Sequence, residues 1–99
     1  MLIVAILTVQ RDRAADFRRF EAAAARIMAR HGGAIERTVV LDEPRGGETF
    51  RELHLVRFPS AAAVAAYRAD PDLAAYLSMR EEAVVATEVW TGTDGPTYG

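Results

Sequence analysis

The chain opens on a continuous apolar run, Leu2 to Val9, rich in aliphatic and β-branched residues, the pattern of a central strand buried on both faces. Arg11 to Arg13 turn the chain out of that strand, and Asp12 is placed to cap the positive end of a following helix. Phe17, Phe20, Ala24, Ile27, Met28 and His31 then recur at helical spacing, with Arg19, Arg26 and Arg30 on the far side. That is an amphipathic helix. Gly32-Gly33 ends it, because glycine tolerates the positive φ of a helix C-terminal cap. A second strand is predicted from about Ala34 to Leu41, and the turn-rich segment from Asp42 to Gly47 reads as a long hairpin loop.

The stretch T-F-R-E-L-H-L-V-R-F-P-S, Thr49 to Ser60, carries a third strand directly into a helix. Side chains alternate across a strand, so Phe50, Glu52, His54, Val56 and Phe58 share one face while Arg51, Leu53, Leu55 and Arg57 share the other. Pro59 ends the strand, Ser60 is an N-cap, and Ala61 to Ala69 form a short helix presenting Val64 and Tyr67. Asp70-Pro71 restarts the helix, with proline at the first helical position. Leu73, Tyr76, Leu77, Arg80 and Val84 then fall on one stripe. Val84 to Thr91 make the last strand, and residues 92–99 form a polar tail.

The order is β-α-β-β-α-β, with the second helix broken at Asp70. It predicts an α+β, ferredoxin-like antiparallel sheet over residues 1–91, with helices on one face and the first and third strands central. A central strand apolar on both sides leaves the other sheet face in need of cover. The simplest cover is a second copy, giving a homodimer with two sheets face to face.

Composition narrows the function classes. A chain of 99 residues suffices for one modest core, and a formal charge of −2 lacks the basic surface that a nucleic-acid partner calls for. With no cysteine there is no disulfide, thiolate metal site or cysteine nucleophile. Two isolated histidines argue against a His-rich metal site, and no glycine-rich loop runs from a strand into a helix to cradle phosphate. No metal and no cofactor is therefore expected. The Met1–Val9 run has no basic leader or cleavage site and is too short to span a bilayer, so no membrane association and a cytoplasmic protein are expected.

Candidate chemistry gathers in two places. Glu52 and His54 lie on one strand face with their Cα atoms roughly 7 Å apart. They are the catalytic candidates: a carboxylate and an imidazole able to move a proton near neutral pH if they line a cavity. The alternative role is hydrogen bonding across strands or across the dimer. Leu53 and Leu55 are the better helix-facing pair, which turns Glu52 and His54 toward the dimer. The second place is a ligand pocket between the sheet and the broken helix, walled by Tyr67, Tyr76 and Trp90 and closed by Arg80, whose guanidinium suits an anionic group; the alternative is that the aromatics are core residues and Arg80 snorkels to a carboxylate or loop carbonyl.

His31-Gly32-Gly33 closing the first helix, Phe58-Pro59-Ser60 entering the second, and Asp70-Pro71-Asp72 with Arg80 downstream resemble the DUF1330 family. More broadly the chain is similar to the dimeric α+β barrel superfamily, which includes the antibiotic-biosynthesis monooxygenases. The resemblance spans about residues 2–91 and implies a ferredoxin-like monomer and a face-to-face dimer. The functional expectation is a protein that binds a small apolar or aromatic molecule between sheet and second helix. The alternatives are a cofactor-free monooxygenase or isomerase of that superfamily, a non-catalytic dimerisation module, or a haem-handling member with His54 or His31 as axial ligand.

Overall fold

A computed structural model describes residues 1–41 and 46–99. The four strands are β1 (Leu2–Gln10), β2 (Ala34–Leu41), β3 (Thr49–Arg57) and β4 (Val84–Gly92). The helices are α1 (Ala14–Arg30), α2 (Ala61–Arg68), α3 (Pro71–Ala74) and α4 (Leu77–Ala83), with a 3-10 turn at Arg11–Arg13. They build one antiparallel sheet in the order β2-β3-β1-β4, so the third and first strands are central, as the ferredoxin-like pattern requires. Most of the hairpin segment read between β2 and β3, residues 42–45, lies outside the described residues.

Register decides which side chains share a face. Ala5 pairs with His54 and Leu7 with Glu52, so the odd-numbered residues of β1 and the even-numbered residues of β3 point together. Ile3, Leu7, Val9, Phe50 and Val56 are buried on that face, beneath Phe17, Met28, Val64 and Ala83 of the helices. Phe17 and Val9 are wholly buried. Burying a side chain of this size stabilises the fold by roughly 1.5–3 kcal/mol relative to leaving it in water. Val4 and Ile6 of β1, with Leu53 and Leu55 of β3, occupy the opposite face, which no helix covers among the described residues.

The helix boundaries follow local chemistry, with two departures from expectation. The Ser60 hydroxyl accepts a hydrogen bond from the Ala63 N–H, and the Asp70 carboxylate accepts one from the Asp72 N–H. Asp12 does not cap α1: it lies within the 3-10 turn, and the N-cap position is Arg13, without a side-chain cap. The helix restarted at Asp70 also breaks a second time, at Tyr76, so Leu73 and Arg80 lie on separate short helices. The C-terminus of α1 is tied to this broken region. His31 Nε2 lies 2.8 Å from Asp70 Oδ2, and Arg30 pairs with Asp72. The hydrogen bond from His31 is the main reason the Asp70 carboxyl lies below its ordinary pKa.

Gly32 closes α1 at φ 75°, its N–H donating to the Ala29 carbonyl, while the Gly33 N–H donates to that of Met28. Gly33 is required for a different reason. A Cβ there would lie 2.4 Å from Phe58 Cε1 and 2.6 Å from Met28 Cγ. Gly33→Ala is therefore expected to cost about 1–3 kcal/mol through overpacking. The readout is a lower urea midpoint at unchanged slope.

Among the described residues, no helix is long and apolar enough to cross a membrane.

Candidate functional site

Beneath α2, α3 and α4 the helix-facing side of the sheet carries a cavity of about 300 Å³. Its floor is Ile3, Ala5, Leu7, His54 and Val56; Phe58, Val64 and Leu73 add to its apolar walls. Leu77, Thr87 and Val89 are exposed and also line it, so the mouth opens between α4 and β4. The polar groups that reach it are Glu21, His54, Tyr67, Arg68, Arg80 and Thr87. A mostly apolar pocket with a few converging polar side chains is the usual form of a small-molecule site.

The deepest polar group is the pair predicted on β3. Glu52 is 2 % exposed and His54 4 % exposed, on the helix side. This reverses the facing expected from burial cost, which turned both toward the dimer and gave Leu53 and Leu55 to the helices. The penalty of burying charge is met by partners that the strand alone does not reveal. Glu52 Oε1 accepts from Arg18 of α1, and Glu52 Oε2 lies 2.9 Å from His54 Nε2. The other ring nitrogen, Nδ1, lies 3.7 Å from Glu21 Oε2. The guanidinium of Arg18 also stacks over Phe17 and Phe50, at 5.4 Å and 5.7 Å from the ring centroids, and Phe17 packs on the imidazole. His54 lines the cavity, and Glu52 stands behind it.

Glu21 was not among the sequence candidates. Its signal is its place on the apolar stripe of α1, four residues after Phe17 and three before Ala24. A carboxylate there must either be paired or face a cavity. Burial pushes its pKa up and Glu52 adds to the rise; Arg80 and Arg18 pull it back, as does His54 when its ring carries a second proton.

The other candidates separate. Tyr67 lines the cavity between Phe58 and His31, at ring distances of 5.5 Å and 6.4 Å. Burial, then the nearby Glu21, pushes its hydroxyl up to about 12, so it remains a proton donor at neutral pH. Arg80 also lines the cavity and donates from Nη2 to the Thr87 hydroxyl at 2.9 Å. Among the described residues no carboxylate lies within ion-pair reach of it. Tyr76 instead packs against Phe20 and Leu73, facing a groove beside Arg30 and Asp72. Trp90 is 66 % exposed and pairs with Val4 on the uncovered face. Of the four residues expected in the pocket wall, the structure thus brings Tyr67 and Arg80 together with His54. It leaves Tyr76 behind Leu73 and puts Trp90 on the other side of the sheet.

No curated protein matches the sequence. Among solved structures, the fold is shared with a protein of unknown function from Rhodopseudomonas palustris, RPA0582, at a TM-score of 0.72 and 16% identity, over 95% of this chain and 84% of that one. SnoaB, a cofactor-independent oxygenase from Streptomyces nogalater, superposes at 0.64 with 15% identity, over 95% and 94% of the two chains. A protein described as a putative antibiotic biosynthesis monooxygenase from Chloroflexus aurantiacus superposes at 0.57 with 13% identity over the whole of both chains. These likenesses establish the α+β ferredoxin-like fold. The family model for a domain of unknown function, DUF1330, matches residues 3–91, nearly the whole described domain, and the chain is a member of the DUF1330 family.

Proposed function

We propose that the chain binds a small, mostly apolar or aromatic molecule in the cavity between the sheet and the broken helices. His54 and Arg80 are its principal polar contacts, and Tyr67 is part of its wall. The observation that carries this reading is Arg80. Its guanidinium lines an apolar cavity with a threonine hydroxyl as its hydrogen-bond partner and, among the described residues, no carboxylate in ion-pair reach. A cation so placed suits a ligand with one anionic or strongly polar oxygen. His54, held by Glu52, stands on the cavity floor where it can exchange a proton with such a ligand.

The test uses 2-naphthoate, an aromatic acid that joins an apolar body to one carboxylate. Saturable binding by the natural chain is expected by calorimetry. Arg80→Ala should weaken it by about tenfold to a hundredfold, the equivalent of one charge-assisted contact worth about 1.5–3 kcal/mol. Equal affinity in the two proteins would remove Arg80 from the site. Cofactor-free oxygenation is the second reading, supported by the fold shared with SnoaB. It predicts oxygen consumption with an electron-rich polycyclic phenol in the absence of added metal or flavin.

The homodimer belongs to the same proposal. Val4, Ile6, Leu53, Leu55, Val39 and Trp90 form an apolar patch on the uncovered face of the sheet, with Arg37 and Glu88 beside it. A second copy packed sheet to sheet is its natural cover, leaving both cavities on the outer, helical sides.

A further inference from the structure

We infer that Glu21 is the residue that takes a proton from the bound molecule, and that the molecule is a small ketone isomerised through its enolate. This rests on the cavity being a binding site, as proposed above.

The hydrogen bonds assign the groups. Glu52 already accepts from Arg18, and its second oxygen is 2.9 Å from His54 Nε2. A carboxylate only accepts, so the proton in that contact is on Nε2. In the neutral ring Nδ1 then carries the lone pair, and it is Nδ1 that faces Glu21, at 3.7 Å. That separation exceeds a hydrogen bond. A carboxyl group and an imidazole lone pair thus stand side by side, unjoined, and both line the cavity. Glu52 does not line it and acts as a positioning residue for the imidazole.

Across the same space lies the Arg80 guanidinium, close enough for its charge to lower the pKa of Glu21 and of Tyr67 without pairing with either. A base set apart from a cation in a mostly apolar cavity suits one reaction class. The Glu21 carboxylate takes the hydrogen of the carbon next to a carbonyl. That C–H pair becomes the new C=C bond as the carbonyl π pair moves onto oxygen. The enolate oxygen forms facing the Arg80 guanidinium, which stabilises charge where it develops. The proton on Glu21 returns to the same carbon or, in a β,γ-unsaturated ketone, to the γ carbon, completing a 1,3 shift that leaves a conjugated enone. Atoms and electrons balance within the one molecule, and no oxidant enters. The His54 Nδ1 lone pair is placed to hold the proton between the two transfers.

The probe is 2-tetralone, a bicyclic ketone with acidic C1 hydrogens, followed in D₂O by the loss of its C1 proton signal. The natural chain should accelerate exchange, and Glu21→Gln should lose about a hundredfold or more of that acceleration, the usual share of a positioned base, with binding retained. In Glu21→Ala, added acetate should restore part of the exchange, a rescue that a purely structural role would not give. Arg80→Met should slow exchange while leaving the folded spectrum intact. Saturable binding of 2-tetralone without accelerated exchange, or undiminished exchange in Glu21→Gln, overturns the inference and leaves the binding site standing. Failure of 2-tetralone to bind where 2-naphthoate does also overturns it. Failure of both ligands overturns the inference together with the reading beneath it.

Discussion

Glu52→Ala is expected to destabilise the folded chain by about 3–5 kcal/mol, combining a buried donor left unpaired with the cavity that the lost side chain leaves. Both Glu52 and His54 are almost wholly buried, and their contact is 2.9 Å. Without the carboxylate, the buried Nε2–H loses its acceptor. Arg18 suffers less, because half of its side chain is exposed and it keeps its stacking on Phe17 and Phe50. Glu52→Gln retains an acceptor and should lose less, about 1–2 kcal/mol. The double variant Glu52→Leu/His54→Leu should recover much of the loss, since well-packed apolar replacements of a buried pair are often neutral. Urea unfolding of the set checks this. A Glu52→Ala variant within about 0.5 kcal/mol of the natural chain, the range of ordinary surface changes, would mean that the cluster is not closed as described.

The second large effect concerns the uncovered face. Leu55→Arg should raise the dissociation constant of the proposed dimer more than a hundredfold. Leu55 lies at the centre of the patch, opposite Val4 on β1 and Arg37 on β2. In a monomer a long arginine can lay its stem on the sheet and keep its head in water, so the fold survives. Sheet-to-sheet packing instead buries two such heads beside Arg37, at a cost of about 3 kcal/mol or more, which is over a hundredfold in affinity. Sedimentation at micromolar concentration reads the state directly. Trp90, the single tryptophan, reports it a second way: its emission should shift to the red on dilution or in the variant. A natural chain that sediments as a monomer removes the dimer from the account.

The strands and α1 were legible from separate signals, β1 from its continuous apolar run, β3 from its alternation into Pro59, and α1 from its helical spacing. β2 runs from Ala34 to Leu41 as expected, and the buried side of α1 contains Phe17, Phe20, Ala24, Ile27 and Met28. What a period cannot give is which face of a strand meets the helices when both faces carry apolar and charged residues. On β3 that choice depends on Arg18 and Glu21, more than thirty residues earlier in the chain. Treating Glu52 and His54 as costly to bury was sound for isolated groups and failed for a partnered cluster. Trp90 was misplaced for a related reason: the irregular register where β4 pairs with Thr8 and Val9 puts Trp90 opposite Val4 on the uncovered side. The break at Asp70 was legible from Ser60, Asp70 and Pro71, whereas nothing in the local sequence marks the second break at Tyr76.

The chain has only two histidines and one tryptophan, which makes the central claim unusually direct to test. One histidine lines the cavity, the other joins α1 to Asp70, and the tryptophan marks the opposite sheet face. The measurement is a titration with 2-naphthoate followed by the imidazole and indole signals in a carbon- and nitrogen-labelled sample. A saturable shift of the His54 ring signals is expected, with a smaller one at His31 relayed through Tyr67 and an unmoved Trp90 indole. A saturable shift of the Trp90 indole with His54 unmoved would contradict the central claim, placing the ligand on the uncovered sheet face.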